Sequence, residues 1–144
     1  MIIVDANVLL YAYDADSPNH ADAKRWLERT LGADTDVRFG LSTVLAFLRI
    51  GTDPRVYARP MSTSDAVSLV RSWLDRSNVS LALPTDRHWP LLNEMAGEGK
   101  ARGPLLMDAH LAALAVEHGA TLATTDRDFA RFGGGLKLID PLAA

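Results

Sequence analysis

The sequence predicts an α/β fold around a mainly parallel sheet, and three observations carry that reading. Short, continuous apolar runs recur at Met1–Val4, Val37–Leu41, Val79–Leu83 and Thr121–Thr125, with a last one near Leu136–Ile139. Segments with apolar residues at three- and four-residue spacing lie between them. Continuously apolar strands are those buried on both faces, and a helix between two such strands provides the crossover that parallel pairing requires.

Each element follows from local chemistry. Met1–Val4, with β-branched Ile2 and Ile3, opens as a strand and runs into Asp5, a residue suited to begin a helix that carries Val8, Leu9 and Ala12. Ser17 and Pro18 supply a second start signal, and the spacing of Ala23, Trp26, Leu27 and Thr30 predicts a helix from about Asn19 to Leu31, ended by Gly32. After the strand at Val37–Leu41, Val44, Phe47 and Leu48 mark a helix over Thr43–Ile50. Pro54 and Pro60 break the pattern between Thr52 and Ser62, so a loop is expected there. Ser64 is placed as the cap of an amphipathic helix with Val67, Val70, Trp73 and Leu74, followed by the strand at Val79–Leu83. A helix is expected from Arg87 to about Gly97, and then a glycine-rich basic loop holding Lys100 and Arg102. Asp108 opens a helix that runs to His118 and stops at Gly119. Thr121–Thr125 leads into Asp126, one helical turn follows around Phe129–Phe132, and a glycine triplet precedes the last strand.

Composition narrows the function classes. A chain of 144 residues that is 48% apolar can bury one sizeable core, so residues 1–144 read as a single domain. Acidic residues and His110 interrupt every apolar run before about 18 residues, and the N-terminus lacks a basic leader, so no membrane span and a cytoplasmic protein are expected. The absence of cysteine excludes disulfides and thiolate metal sites. A formal net charge of −3 argues against coating nucleic acid by bulk electrostatics. It leaves room for a nuclease whose acidic metal site offsets a basic rim.

The chemistry rests on carboxylates. In open α/β sheets functional groups gather at the carboxyl ends of the strands, where Asp5 and Asp126 fall, and Asp108 begins a helix whose next residues are apolar. Each alone also fits a helix cap. Three carboxylates brought together repel one another, and burial penalises each, so such a set persists when cations neutralise it. Magnesium, with manganese as a substitute, takes oxygen ligands, activates a water and stabilises a leaving oxygen, which is the chemistry of phosphodiester hydrolysis.

Four stretches extend the argument: IIVDANVLLYA at the start, the SPNHADAKRWL helix, the LMDAHLAALAVEHGA helix and LATTDRDFARF near the end. Together, and in this order, they resemble PIN domains, most closely the VapC-type toxins of bacterial toxin-antitoxin pairs. The resemblance implies a three-layer α/β/α sandwich with four to five strands and a Mg²⁺-dependent ribonuclease. It further implies a homodimer held inactive by a cognate antitoxin protein. By position, Asp5, Asp108 and Asp126 correspond to the metal-binding and catalytic aspartates, Asp128 to a further acid, and Asn7 and Thr125 to polar groups that orient a carboxylate or water. His20 falls where VapC-like sequences often carry histidine, a candidate contact to RNA or a partner. One departure stands out: many PIN domains carry a glutamate where this chain has Ala46, which predicts fewer direct metal contacts and one well-held ion in place of two.

Arg49, Arg102 and Arg127 are the candidates for holding RNA phosphates, since guanidinium matches phosphate oxygens. Trp26, Trp73 and Trp89 are expected in core or dimer packing, and His88, His110 and His118 in structural roles, because no zinc spacing joins them. A haloacid-dehalogenase-type phosphatase is the competing enzyme reading, but Asn7 stands where its second aspartate would be needed. A catalytically weak PIN-like binding module is the alternative outside enzymes.

Overall fold

A computed structural model describes residues 1–133 and 135–143. Five strands, β1 (Ile2–Val4), β2 (Val37–Gly40), β3 (Val79–Ala82), β4 (Thr121–Ala123) and β5 (Lys137–Ile139), pair in parallel in the order β3-β2-β1-β4-β5. The registers Ile2 with Val37 and Ile2 with Thr121 put β1 at the centre. Helices α1 (Ala6–Tyr13) and α2 (His20–Gly32) connect β1 to β2, α3 (Leu41–Gly51) and α4 (Thr63–Leu74) connect β2 to β3, and α5 (His88–Glu98) and α6 (Leu105–Glu117) connect β3 to β4.

Side-chain alternation along β1 divides the interior into two cores. Val4 joins Val8, Leu9, Trp26, Phe39, Phe47 and Trp73 on the face covered by α1 to α4. Ile3 joins Ala109, Ala112, Leu114, Leu122, Phe129 and Phe132 on the face covered by α5, α6 and the 3₁₀ turn at Arg127–Phe132. The sandwich is therefore the expected three-layer α/β/α arrangement. Burial on both faces explains why the central strand β1 is wholly apolar, whereas Arg38 in β2 and Ser80 in β3 interrupt the strands towards one edge and β5 is exposed at the other.

Several boundaries move. The second helix begins at His20, because Ser17 Oγ is used in a tight turn, accepting from the Asn19 N–H at 3.1 Å. The fourth is capped by Ser62, whose Oγ accepts from the Asp65 N–H at 3.0 Å, and not by Ser64, which lies inside the first turn. Most consequential is α6: it starts at Leu105, after Gly103 at φ 60° has turned the chain, so Asp108 lies within the first turn instead of opening it. Of the expected glycine triplet, Gly134 lies outside the described residues. No helix among the described residues is long and apolar enough to cross a membrane.

The strand order has a functional consequence. The chain moves outward from β1 to β2 and β3, then returns through α5 and α6 to β4 on the other side of β1. The crevice at the carboxyl ends of β1 and β4 is thus a topological switch point, where open α/β sheets bind ligands.

Candidate active site

Asp5 leaves the end of β1 at that crevice and uses both carboxylate oxygens. Oδ1 accepts from the Ala6 N–H at 2.7 Å, capping α1, and Oδ2 accepts from the Thr124 hydroxyl at 2.7 Å. Burial pushes its carboxyl above the ordinary range; the Thr124 and Ala6 hydrogen bonds oppose this, and repulsion from Asp126 adds to it. Cap and site residue are therefore the same group, since a cap at a strand end is aimed at the crevice.

Asp126 follows β4 and caps the 3₁₀ turn, its Oδ1 accepting from the Asp128 N–H at 2.9 Å. Its own N–H donates to Thr124 Oγ1 at 3.0 Å. The buried Thr124 hydroxyl thus ties Asp5 to the chain at Asp126. Thr125, the expected hydroxyl, is displaced from this role by one residue, because β4 ends at Ala123 and Thr124 is the first side chain beyond it.

Asp108 differs from both. It makes no capping bond in α6, and no side-chain hydrogen bond among the described residues. Its carboxyl is pushed up to about 6, first by burial and then by repulsion from Asp5, Asp126 and Asp128, with Arg131 opposing. The first turn of a helix favours negative charge, yet repulsion and burial outweigh that here. A half-buried carboxyl with three acidic neighbours and no partner has no structural purpose that an asparagine or alanine would not serve better.

Asp5 and Asp108 open into a cavity of about 620 Å³ whose walls include Ser42, Ala46, Arg49 and Met107. Ala46 does stand on the wall of the carboxylate cleft, and its methyl group leaves the space there uncharged. Of the candidate phosphate contacts, Arg49 lines the cleft, Arg127 is exposed directly after Asp126, and Arg102 is exposed in the loop before α6. His20 is not at the cleft: its Nδ1 lies 3.0 Å from the Tyr11 carbonyl oxygen, joining α2 to α1. Sequence reasoning missed Thr124, Ser42 and Arg131, whose Nη1 donates to the Gly99 carbonyl at 3.1 Å while its charge acts on Asp108. For Arg131 the available signal was a basic residue about one turn beyond an acidic pair.

Trp26 and Trp73 are core residues, whereas Trp89 is 74% exposed and packs in neither core. His88 and His110 join the buried Glu117 in a hydrogen-bonded chain, and His118 Nε2 meets the Leu83 carbonyl oxygen at 2.8 Å.

The residues present fit a hard divalent ion. The charged donors at the crevice, Asp5, Asp108 and Asp126, are carboxylate oxygens, which suit magnesium or manganese better than a soft metal. The Asn7 Oδ1 atom is buried with no partner, an acceptor for which a bound water would supply the donor. Among the described residues no three acidic, histidine or cysteine side chains converge into a ready cage. An ion here would therefore take one or two carboxylates and keep water in the rest of its shell, the usual habit of magnesium.

The PIN domain family model matches residues 2–135. The chain belongs to the PIN-domain family. Within it, this PIN domain is 42% identical over 134 residues to ribonuclease VapC37 of Mycobacterium tuberculosis, covering 93% of each chain. Ribonuclease VapC33 of the same species is 38% identical over 142 residues, covering 99% of each. Among solved structures, VapBC-1 from nontypeable Haemophilus influenzae superposes with a TM-score of 0.69 at 17% identity, covering 99% of this chain and 100% of that one. VapBC2 from Rickettsia felis, bound to a DNA fragment from its promoter, gives 0.67 at 20% identity, covering 97% and 98%. At those identities the solved structures speak to the fold, and the mycobacterial relatives place this PIN domain with the VapC proteins.

Proposed function

We propose that this PIN domain is a Mg²⁺-dependent endoribonuclease that hydrolyses RNA phosphodiester bonds, acting as the toxin of a type II toxin-antitoxin pair. The observation that carries the reading is Asp108, a carboxyl without a hydrogen-bond partner among the described residues, raised first by burial and then by three acidic neighbours, at the switch point of the sheet. The ribonuclease names of relatives that align over nearly the whole chain support it. The solved VapBC assemblies support a cognate antitoxin as protein partner, and a homodimer is the proposed state of the toxin itself.

Of Asp5, Asp108 and Asp126, one or two would hold the ion directly and the rest would act through its water shell, with Asp128 as the outer acid. When bound, magnesium supplies an acidified water and charge neutralisation at the scissile phosphate. The remaining work falls to the protein. Thr124 holds Asp5 in one rotamer, so its carboxylate is pre-aimed before substrate arrives. Arg49 on the cleft wall binds a phosphate oxygen and positions the strand. Arg131 tempers the negative field on Asp108 from outside the cleft. With Ala46 in the wall, the acidic charge is concentrated on the aspartates, and a single ion is the proposed complement.

The test is cleavage of a panel of structured RNAs in Mg²⁺ or Mn²⁺, with EDTA and Asp108→Asn as controls. Metal-dependent cleavage by the wild type that is lost in Asp108→Asn is expected. Equal cleavage by the two proteins would remove the enzyme reading, and binding of RNA or a protein partner without cleavage would favour the weak binding module. Growth arrest on induction in bacteria, absent for Asp5→Ala, is expected of a toxin.

A further inference from the structure

We propose that a groove beside the carboxylate cleft, lined by Trp89, Leu92, Asn93, Leu106, Met107 and His110, is a nucleobase subsite that receives one unstacked base of the substrate strand. The proposal rests on the ribonuclease reading and extends it to how the RNA is gripped.

The groove encloses about 510 Å³, within the range of small-ligand sites. Its floor and rim are apolar and open: Trp89 is 74% exposed, Met107 57% and Leu106 45%. The other two tryptophans are 8% and 2% exposed, so core packing accounts for them and not for Trp89. An indole left in water offers a flat face on which any base can stack.

One wall of the groove is polar and held in place. His110 Nδ1 lies 2.8 Å from His88 Nε2, and His88 Nδ1 is hydrogen-bonded to Glu117 Oε1. The other Glu117 oxygen accepts from the Thr85 N–H at 2.9 Å and from its hydroxyl at 2.6 Å. A fully buried carboxylate thus fixes one imidazole, which fixes the next. Apolar residues of similar volume would stabilise the fold about as well as such a buried polar chain, so its distinctive product is direction. Direction ends at His110, whose Nε2 has no hydrogen-bond partner among the described residues. With the Asn93 amide on the same groove, an imidazole nitrogen stands ready for the polar edge of a planar heterocycle.

Continuity with the cleft selects the occupant. Met107 lines both the groove and the cavity holding Asp5 and Asp108, and it precedes Asp108 in the chain. A strand whose phosphate lies at the aspartates therefore has a neighbouring base within reach of Trp89. Single-stranded or looped RNA offers such bases, and proteins read them by aromatic stacking with hydrogen bonds to one edge. A second copy of the chain would bury the apolar rim but has no need of an oriented imidazole.

The exposed indole makes the test direct. Wild-type protein in EDTA is titrated with single-stranded RNA oligonucleotides carrying an abasic ribose at successive positions, and tryptophan fluorescence is followed. Saturable quenching, weakened by an abasic ribose at one position, is expected. By anisotropy of a labelled oligonucleotide, Trp89→Leu should bind about 5- to 100-fold more weakly, while Trp89→Phe keeps most of the affinity. Unquenched fluorescence, wild-type affinity in Trp89→Leu, or a fall in oligomeric mass of Trp89→Leu by light scattering would overturn the proposal; the last would assign the groove to a second copy. Metal-dependent cleavage with unaltered binding by Trp89→Leu would remove the subsite and leave the ribonuclease. Position-dependent quenching without any cleavage would do the reverse.

Discussion

Neutralising Asp108 should stabilise the metal-free protein while abolishing its chemistry. The ordinary carboxyl value is 3.8, and in the folded chain it is pushed up to about 6. Between these values the native state holds more protons than the unfolded chain, so stability falls as pH rises through this window, and the loss persists above it. The full difference corresponds to about 3 kcal/mol at pH 7, which solvent screening of a half-buried group reduces to about 1–2 kcal/mol. Asp108→Asn removes the charge at nearly constant shape. At an unfolding entropy of about 2.1 cal/mol/K per residue, a gain of 1 kcal/mol raises the melting temperature of a 144-residue chain by about 3 °C. Calorimetry in EDTA should therefore find the variant about 3–7 °C more stable at pH 7, with the advantage shrinking towards pH 4. Magnesium should then raise the melting temperature of the wild type and leave the variant nearly unmoved. A variant less stable than wild type at pH 7, or a gain independent of pH, would refute the reasoning that burial and acidic neighbours strain this site.

Three further outcomes follow from the same geometry. Thr124→Val leaves Asp5 Oδ2 without its donor and the Asp126 N–H without its acceptor; urea unfolding should register a loss of about 1–3 kcal/mol, and RNA cleavage should fall with it. Ala46→Glu adds a carboxylate to the cleft wall, so half-saturation by Mg²⁺, read from thermal shifts, should move to about ten-fold lower concentration, while the protein in EDTA becomes less stable. Gly99→Ala places a methyl group 2.6 Å from the Phe132 ring, an overpacking that should lower stability by about 1–3 kcal/mol, and adding Phe132→Leu should restore part of it.

The sequence by itself determined the layers and singled out three aspartates that the fold brings together. Continuous apolar strands could only be buried on both faces, and helical spacing between them required crossovers, so the α/β class followed from patterning alone. Asp5, Asp108 and Asp126 were legible because strand ends and helix starts are local features. Other facts are products of tertiary packing and have no local signature. The order β3-β2-β1-β4-β5 puts β1 beside β4 although the intervening chain is more than a hundred residues long, and that adjacency lets Asp126 repel Asp5. Whether Thr124 or Thr125 reaches Asp5 depended on where β4 ends, a difference of one residue that composition could not resolve. The start of α6 at Leu105 removed the capping explanation for Asp108, and Trp89 proved exposed although its sequence surroundings resemble a core helix. Propensity and periodicity act over a few residues; the fields, partners and exposure that turn a side chain into a site are set by neighbours distant in sequence.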